Sequence, residues 1–140
     1  EISFTLNGYW NLQQEEGAEK TNLSDSQTYD FMATHSETGT NISIIYDDLT
    51  KTDGGTLVKI DDYVTAVQES LKTSSKYTYK CSDITSEKLH GKEYMTFSCD
   101  VAELDARQHF YIRRIEDTIM IMMITLYGEN TISGILELAK

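Results

Sequence analysis

The chain has 140 residues, of which 39% are hydrophobic and 25% charged, and this is the length and composition of one folded domain rather than of a disordered segment. Its 23 acidic and 12 basic residues give a formal net charge of −11. A surface of this sign repels nucleic-acid phosphates and anionic lipid headgroups, so the charge argues against nucleic-acid binding and leaves attraction to a basic protein as the alternative to simple solubility.

The N-terminal part of the chain is predicted to be rich in strands. Residues 1–6 alternate apolar and polar side chains, as a half-buried strand does. The polar stretch 13–26 is typical of a loop. Two later runs, 29–35 and 41–47, are separated by a short polar segment with a glycine, which predicts a β-hairpin.

The clearest helix of the sequence begins near residue 60. One apolar stripe recurs at helical spacing along about four turns: Ile60, Tyr63, Val64, Val67 and Leu71. Acidic residues lie in the first turn and Lys72 in the last, which suits the helix dipole. We therefore expect a helix that packs this stripe against a sheet.

Four strand-like runs follow the helix, over residues 76–84, 92–101, 107–115 and 118–126. The short connections between them predict an antiparallel meander. The last run, TIMIMMITL, is apolar at both parities, so it is expected at the centre of a sheet that is covered on both faces. A C-terminal helix is expected from about residue 130. The predicted fold class is α+β, an antiparallel β-sheet sandwiched between helices (an αβα sandwich).

The cysteines, Cys81 and Cys99, are predicted to face each other across neighbouring strands. A hairpin centred on His90 sets Cys81 opposite Cys99, and directly opposed residues lie within disulfide range. A structural bridge is expected if the protein is exported, because disulfides persist in oxidising compartments. The alternative is two reduced thiols that pack as small hydrophobic groups.

The residue types that carry chemistry form no recognisable motif. The histidines match no metal-ligand spacing: His35, His90 and His109. The acidic loop that holds Asp47, Asp48 and Asp53 lacks the calcium-loop pattern. No nucleophile elbow, zinc-protease motif, P-loop or dinucleotide-binding fingerprint occurs. The sequence therefore predicts no catalytic residue, no cofactor and no metal site.

From about residue 41 onwards, four segments follow the order strand, helix, meander, helix. They are ISIIYDDL before a loop, the helix IDDYVTAVQESLK, the strand LHGKEYMTFSCD opened by a His-Gly turn, and the run QHFYIRRIEDTIMIMMITL before a terminal helix. In this order and spacing the chain resembles the PsbP-like superfamily. That superfamily includes an extrinsic photosystem II subunit, a Ran-binding nuclear transport protein and exported bacterial lipoproteins. The resemblance implies a single domain over residues 1–140, an αβα sandwich and a binding or accessory role without catalysis.

Three functional hypotheses follow from the sequence. The leading one is a non-enzymatic, exported bacterial accessory domain that presents an acidic surface to another protein. The chain begins at Glu1 rather than Met, which agrees equally with a removed export signal and with an arbitrary start of the sequence, and an upstream lipid anchor stays open. The longest apolar run, 119–124, is too short to insert across a bilayer. The alternatives are a small secreted hydrolase, using scattered carboxylates and His109 in a polar cleft, and a carrier that holds a small ligand in an apolar cavity beside the Met-rich sheet.

Overall fold

The structure, a computed structural model, describes residues 10–12 and 27–128. Within these residues, eight strands and one α-helix occur in this chain order: β1 (Trp10–Leu12), β2 (Gln27–His35), β3 (Asn41–Asp48), α1 (Ile60–Lys72), β4 (Tyr79–Cys81), β5 (Thr85–Leu89), β6 (Lys92–Val101), β7 (Ala106–Ile115) and β8 (Thr118–Tyr127). The strands form one antiparallel sheet in the order β1-β2-β3-β8-β7-β6. Both β4 and β5 pair with the outer edge of β6. The described fold is therefore α+β and consists mainly of one antiparallel sheet with one α-helix.

The apolar run at residues 118–126 lies within the sheet, as its composition predicts. β8 is paired with β3 on one side and with β7 on the other. Alternate side chains are buried on opposite faces: Ile119 and Ile121 on one, Met120, Met122 and Ile124 on the other. The prediction of a central strand with both faces buried is confirmed.

Helix α1 covers the sheet face that carries Phe97, Phe110 and Ile112, called here the helix face. Every member of the predicted stripe packs into this cluster, and Val64 is fully buried there. The helix and its orientation are therefore as predicted. The expected C-terminal helix, the strand over 1–6 and the loop over 13–26 lie outside the described residues.

The strand predicted over residues 76–84 is wrong in its extent. The chain is paired only over 79–81, breaks, and pairs again as β5, a segment that the sequence pattern left out of the strands. At the break, the Ser82 hydroxyl accepts a hydrogen bond of 2.9 Å from the Ser98 N–H, in the place of a backbone acceptor. The Ser82 carbonyl instead accepts a bond of 2.7 Å from Nε2 of Gln68 in α1. The Ser82 side chain thus interrupts the ladder, and the Gln68 side chain joins the helix to the sheet edge.

Cys81 and Cys99 face each other as predicted, but for a different reason than a hairpin centred on His90. The β5–β6 turn consists of two residues with left-handed backbone, His90 (φ 51°) and Gly91 (φ 77°), so the hairpin pivots between them rather than on His90. The irregular segment after β4 supplies a compensating shift of one residue. As a result Cys81 is paired with Cys99, their Cα atoms are 4.0 Å apart, and a disulfide joins them.

Gln68 gives a first testable consequence of this arrangement. Its side chain is only 6% exposed although it is polar, and it holds the carbonyl that the break sets free. We expect Gln68→Ala to lower the free energy of unfolding by about 1–2 kcal/mol, because a buried hydrogen bond and its packing are lost together. Urea denaturation measures this. Glu69→Gln, an exposed neighbour on the same helix, should stay within about 0.5 kcal/mol, and equal effects of the two changes would show that the Gln68 contact does not matter.

Candidate functional site

The segment from Leu49 to Lys59, called here the Leu57 loop, connects β3 to α1 in two short 3-10 turns. The Asp48 carboxylate caps the first turn by accepting hydrogen bonds from the hydroxyl (2.6 Å) and the N–H (3.0 Å) of Thr50, and these bonds lower the pKa of Asp48. A Cβ on Gly55 would collide with the Leu49 carbonyl oxygen. The loop is therefore folded closely on itself and only glycine fits at position 55.

Arg114, near the end of β7, fixes the second half of this loop. Its Nη1 donates to the Val58 carbonyl at 2.6 Å and its Nη2 to the Thr56 carbonyl at 2.9 Å. The Nε donates to the Glu116 carbonyl at 2.7 Å, and Nη2 lies 3.3 Å from the Asp117 carboxylate. One planar guanidinium thus joins the loop to the β7–β8 turn and sets its backbone in one position.

Leu57 lies between the two residues whose carbonyls Arg114 binds, and its side chain points into solvent. It is 84% exposed, against 37% for Leu104 and 36% for Tyr127, the other exposed large apolar residues of the described part. A single exposed apolar residue is common on proteins. Here, however, the backbone on both sides is fixed by charge-assisted hydrogen bonds, so a partner could bury the leucine without ordering the loop first.

The surroundings of Leu57 are mostly acidic. Exposed carboxylates lie in the loop, in the first turn of α1 and in the β7–β8 turn: Asp53, Asp61, Asp62, Glu116 and Asp117. The exposed basic residues of the same region are Lys51 and Lys59. Since Arg114 is already bound to loop carbonyls and to Asp117, this end of the molecule offers an apolar side chain in a field of net negative charge.

A second candidate is an open groove beside the break between β4 and β5, mostly on the sheet face opposite α1. Its volume is about 240 Å³, and its lining is mainly polar: Ser82, Thr85, Glu87, Thr96, Phe97, Ser98, His109 and Tyr111. Burial, the charge of Glu87 and a hydrogen bond to Glu87 raise the pKa of Tyr111 to about 12. Burial lowers the pKa of His109, and the Arg107 charge lowers it further against the opposing effect of Asp100.

This groove is the polar cleft in which the hydrolase hypothesis would place His109. A His109 of lowered pKa is neutral at neutral pH and has the protonation state of a general base. Ser98 is paired directly with His109 across the strands, yet no hydrogen bond joins the two side chains in the described structure. The groove carboxylate, Glu87, is bonded to Tyr111. The described residues therefore place candidate groups together without the nucleophile, base and orienting acid in contact.

Among the other histidines and acids singled out in the sequence, His35, Asp47 and Asp48 have structural contacts. His35 accepts bonds of 3.3 Å from two N–H groups of the β2–β3 turn, and His90 begins the β5–β6 turn. Asp47 is buried and accepts a hydrogen bond from the Tyr63 hydroxyl, which links β3 to α1. Burial, and after it this hydrogen bond, raise the pKa of Tyr63. Asp53 is exposed. Across residues 10–12 and 27–128, no three metal-binding side chains come together.

Leu57 and Arg114 were not singled out in the sequence. A leucine two residues after a polar Gly-Gly turn is a weak sign of an exposed contact residue, and nothing in the strand pattern of β7 distinguishes Arg114 from Arg113. The contact between Arg114 and the loop spans more than fifty positions, so only the fold brings the two together.

None of the helical segments in the described ranges has the length and apolarity that a membrane crossing needs.

Comparison with known proteins identifies the fold. No family model and no curated protein matches the sequence. Among solved structures, the chain is similar to cyanobacterial PsbP (CyanoP) from Synechocystis sp. PCC 6803, with a TM-score of 0.63, 12% identity, and coverage of 99% of this chain and 85% of that one. LpqN, involved in cell envelope biogenesis of Mycobacterium tuberculosis, matches with a TM-score of 0.45 and 8% identity over 97% of this chain and 76% of that one. The chain has a PsbP-like fold, which confirms the resemblance seen in the sequence.

Proposed function

We propose that this chain is an exported bacterial accessory domain that acts by binding another protein and not by catalysis. The observation that carries the proposal is Leu57, which is 84% exposed on a loop whose backbone Arg114 holds in place. Fixed loops on a rigid sheet are a common way to present contact residues, because little conformational entropy is lost when the partner binds. The PsbP-like resemblance of the sequence, which implies a binding or accessory role, supports the same function.

The disulfide supports the extracytoplasmic part of the proposal. It joins β4 to β6 at the sheet edge, where β4 has only three residues of pairing to hold it. Disulfides of this structural kind persist in secreted and envelope proteins and are rare in a reducing cytosol. The net charge of −11 repels anionic lipid headgroups, so the surface of the domain stays in the aqueous phase, where a partner protein can reach it.

The test follows the full-length protein in its source cells. We expect a membrane-impermeant lysine reagent to label the protein in intact cells, because the domain lies outside the cytoplasm. After gentle extraction, we expect part of it to migrate on a native gel as a complex that contains a second protein. A cytosolic protein of similar lysine content is the labelling control. A protein that stays unlabelled, or that migrates only as a free monomer, would contradict the proposal.

A further inference from the structure

We infer that the Leu57 loop is the docking surface of this domain, and that its partner is a protein with an apolar pocket bordered by Lys or Arg side chains. The inference rests on the proposed protein-binding function and names the surface and the partner chemistry for it. The apolar part of the match is Leu57, the most exposed large apolar residue of the described chain. A leucine presented in this way is buried most effectively by a pocket of similar shape, where it becomes the central contact of the interface.

The fixed backbone distinguishes this surface from a chance exposed residue. The two carbonyls that flank Leu57 are held at 2.6 and 2.9 Å by one guanidinium, and the loop beneath is closed by the contact of Gly55 with Leu49. The Leu49 N–H also donates to the Asp117 carbonyl at 2.9 Å, so both arms of the loop are tied to the β7–β8 turn. Leu57 is therefore preorganised for insertion into a pocket.

Charge decides which occupant fits this surface. The carboxylates of Asp53, Asp61 and Asp62 lie on both sides of the leucine in sequence and the β7–β8 turn adds two more, so the region stays net negative against its two exposed lysines. A second copy of the chain would bring like charge against like charge, and an anionic membrane would repel the same groups. A partner whose pocket is bordered by Lys or Arg instead gains attraction at the rim and a faster encounter.

The experiment uses a photo-crosslinking amino acid in place of the exposed Thr56, in the full-length protein and in its source cells. We expect one adduct with a different protein, and the crosslinked peptide should contain apolar residues next to Lys or Arg. Adding Leu57→Asp should reduce the adduct at least tenfold. Changing Asp53, Asp61 and Asp62 to Asn together should reduce the adduct severalfold and weaken its dependence on salt.

The control carries the same crosslinker in place of Ala102, which is exposed at the opposite end of β7 from Arg114. An adduct from position 102 but not from position 56 would overturn the Leu57 surface and leave protein binding in place. The absence of a protein adduct at both positions, together with a monomer on the native gel, would overturn the proposed function as well. An adduct with a second copy or with lipid, or one unaffected by Leu57→Asp, would refute the inferred partner.

Discussion

Replacing Ile124 with alanine is expected to lower the free energy of unfolding by about 2–5 kcal/mol. Ile124 is fully buried in β8, on the sheet face opposite α1, and packs in one cluster with Ile42 and Met122. It is paired with Ile42 of β3 and His109 of β7, whose side chains flank it on the same face. Truncation would therefore leave a cavity on this face that the hydrogen-bonded strands cannot close by moving together. Chemical denaturation followed by circular dichroism measures the loss.

The matched control for this cavity is Ser86→Ala on the exposed edge strand β5. It removes a side-chain atom from a strand without opening a buried space, so its effect should stay within about 0.5 kcal/mol. If Ile124→Ala were as mild as this control, β8 would not be the doubly buried strand on which the fold depends.

The second large effect concerns the bond between Cys81 and Cys99. Loss of the bond itself, in the double change to serine, is expected to cost at most about 3 kcal/mol, because the bond closes a loop of 18 residues in the unfolded chain. Cys99 is 1% exposed, so its new hydroxyl is also placed in the core. We expect the change to lower the melting temperature while the sheet still forms.

Thiol counting under denaturing, non-reducing conditions tests the bond itself. Protein freshly isolated from its source cells should show no free thiol before reduction and two afterwards. The Ile124→Ala variant is the control, since its fold is weakened while its cysteines are unchanged. Two free thiols in the unreduced protein would rule out the bridge and with it the support that the bond gives to export.

Elements that depend on local periodicity could be predicted from the sequence. The stripe from Ile60 to Leu71 and the apolar run of β8 each bury a face that is already visible as a repeat of apolar residues, so hydrophobic patterning alone determines them. The break after β4 could not be predicted in this way. At the break, the Ser82 hydroxyl replaces the Ser82 carbonyl as the acceptor for the Ser98 N–H, and Gln68 donates to the carbonyl that is set free. These contacts join three separate elements.

The candidate sites show the same division. The sequence singled out His109 by its residue type, and the structure adds what burial and neighbours do to it: a lowered pKa, and a groove shared with Tyr111 and Glu87. Leu57 carries only a weak local signal, because the backbone on both sides of it is held by Arg114, a residue distant in the sequence. The property that matters at this loop is a long-range hydrogen-bond pattern, which no window of sequence contains.

The most direct measurement compares Leu57→Asp with Leu104→Asp in the full-length protein. Both leucines are exposed, and each ends a short 3-10 turn. They lie at opposite ends of the sheet, which are separated by the ten residues of β7, a length of about 30 Å. Neither leucine belongs to a core cluster, so both variants should stay folded. Leu57→Asp should keep the stability of the parent within about 0.5 kcal/mol, and Leu104→Asp, at a leucine only 37% exposed, should lower it by about 1–2 kcal/mol. We predict that Leu57→Asp reduces the amount of native complex in source-cell extracts at least tenfold, whereas Leu104→Asp leaves it unchanged. Equal complex formation by the two variants would contradict the assignment of binding to the Leu57 loop.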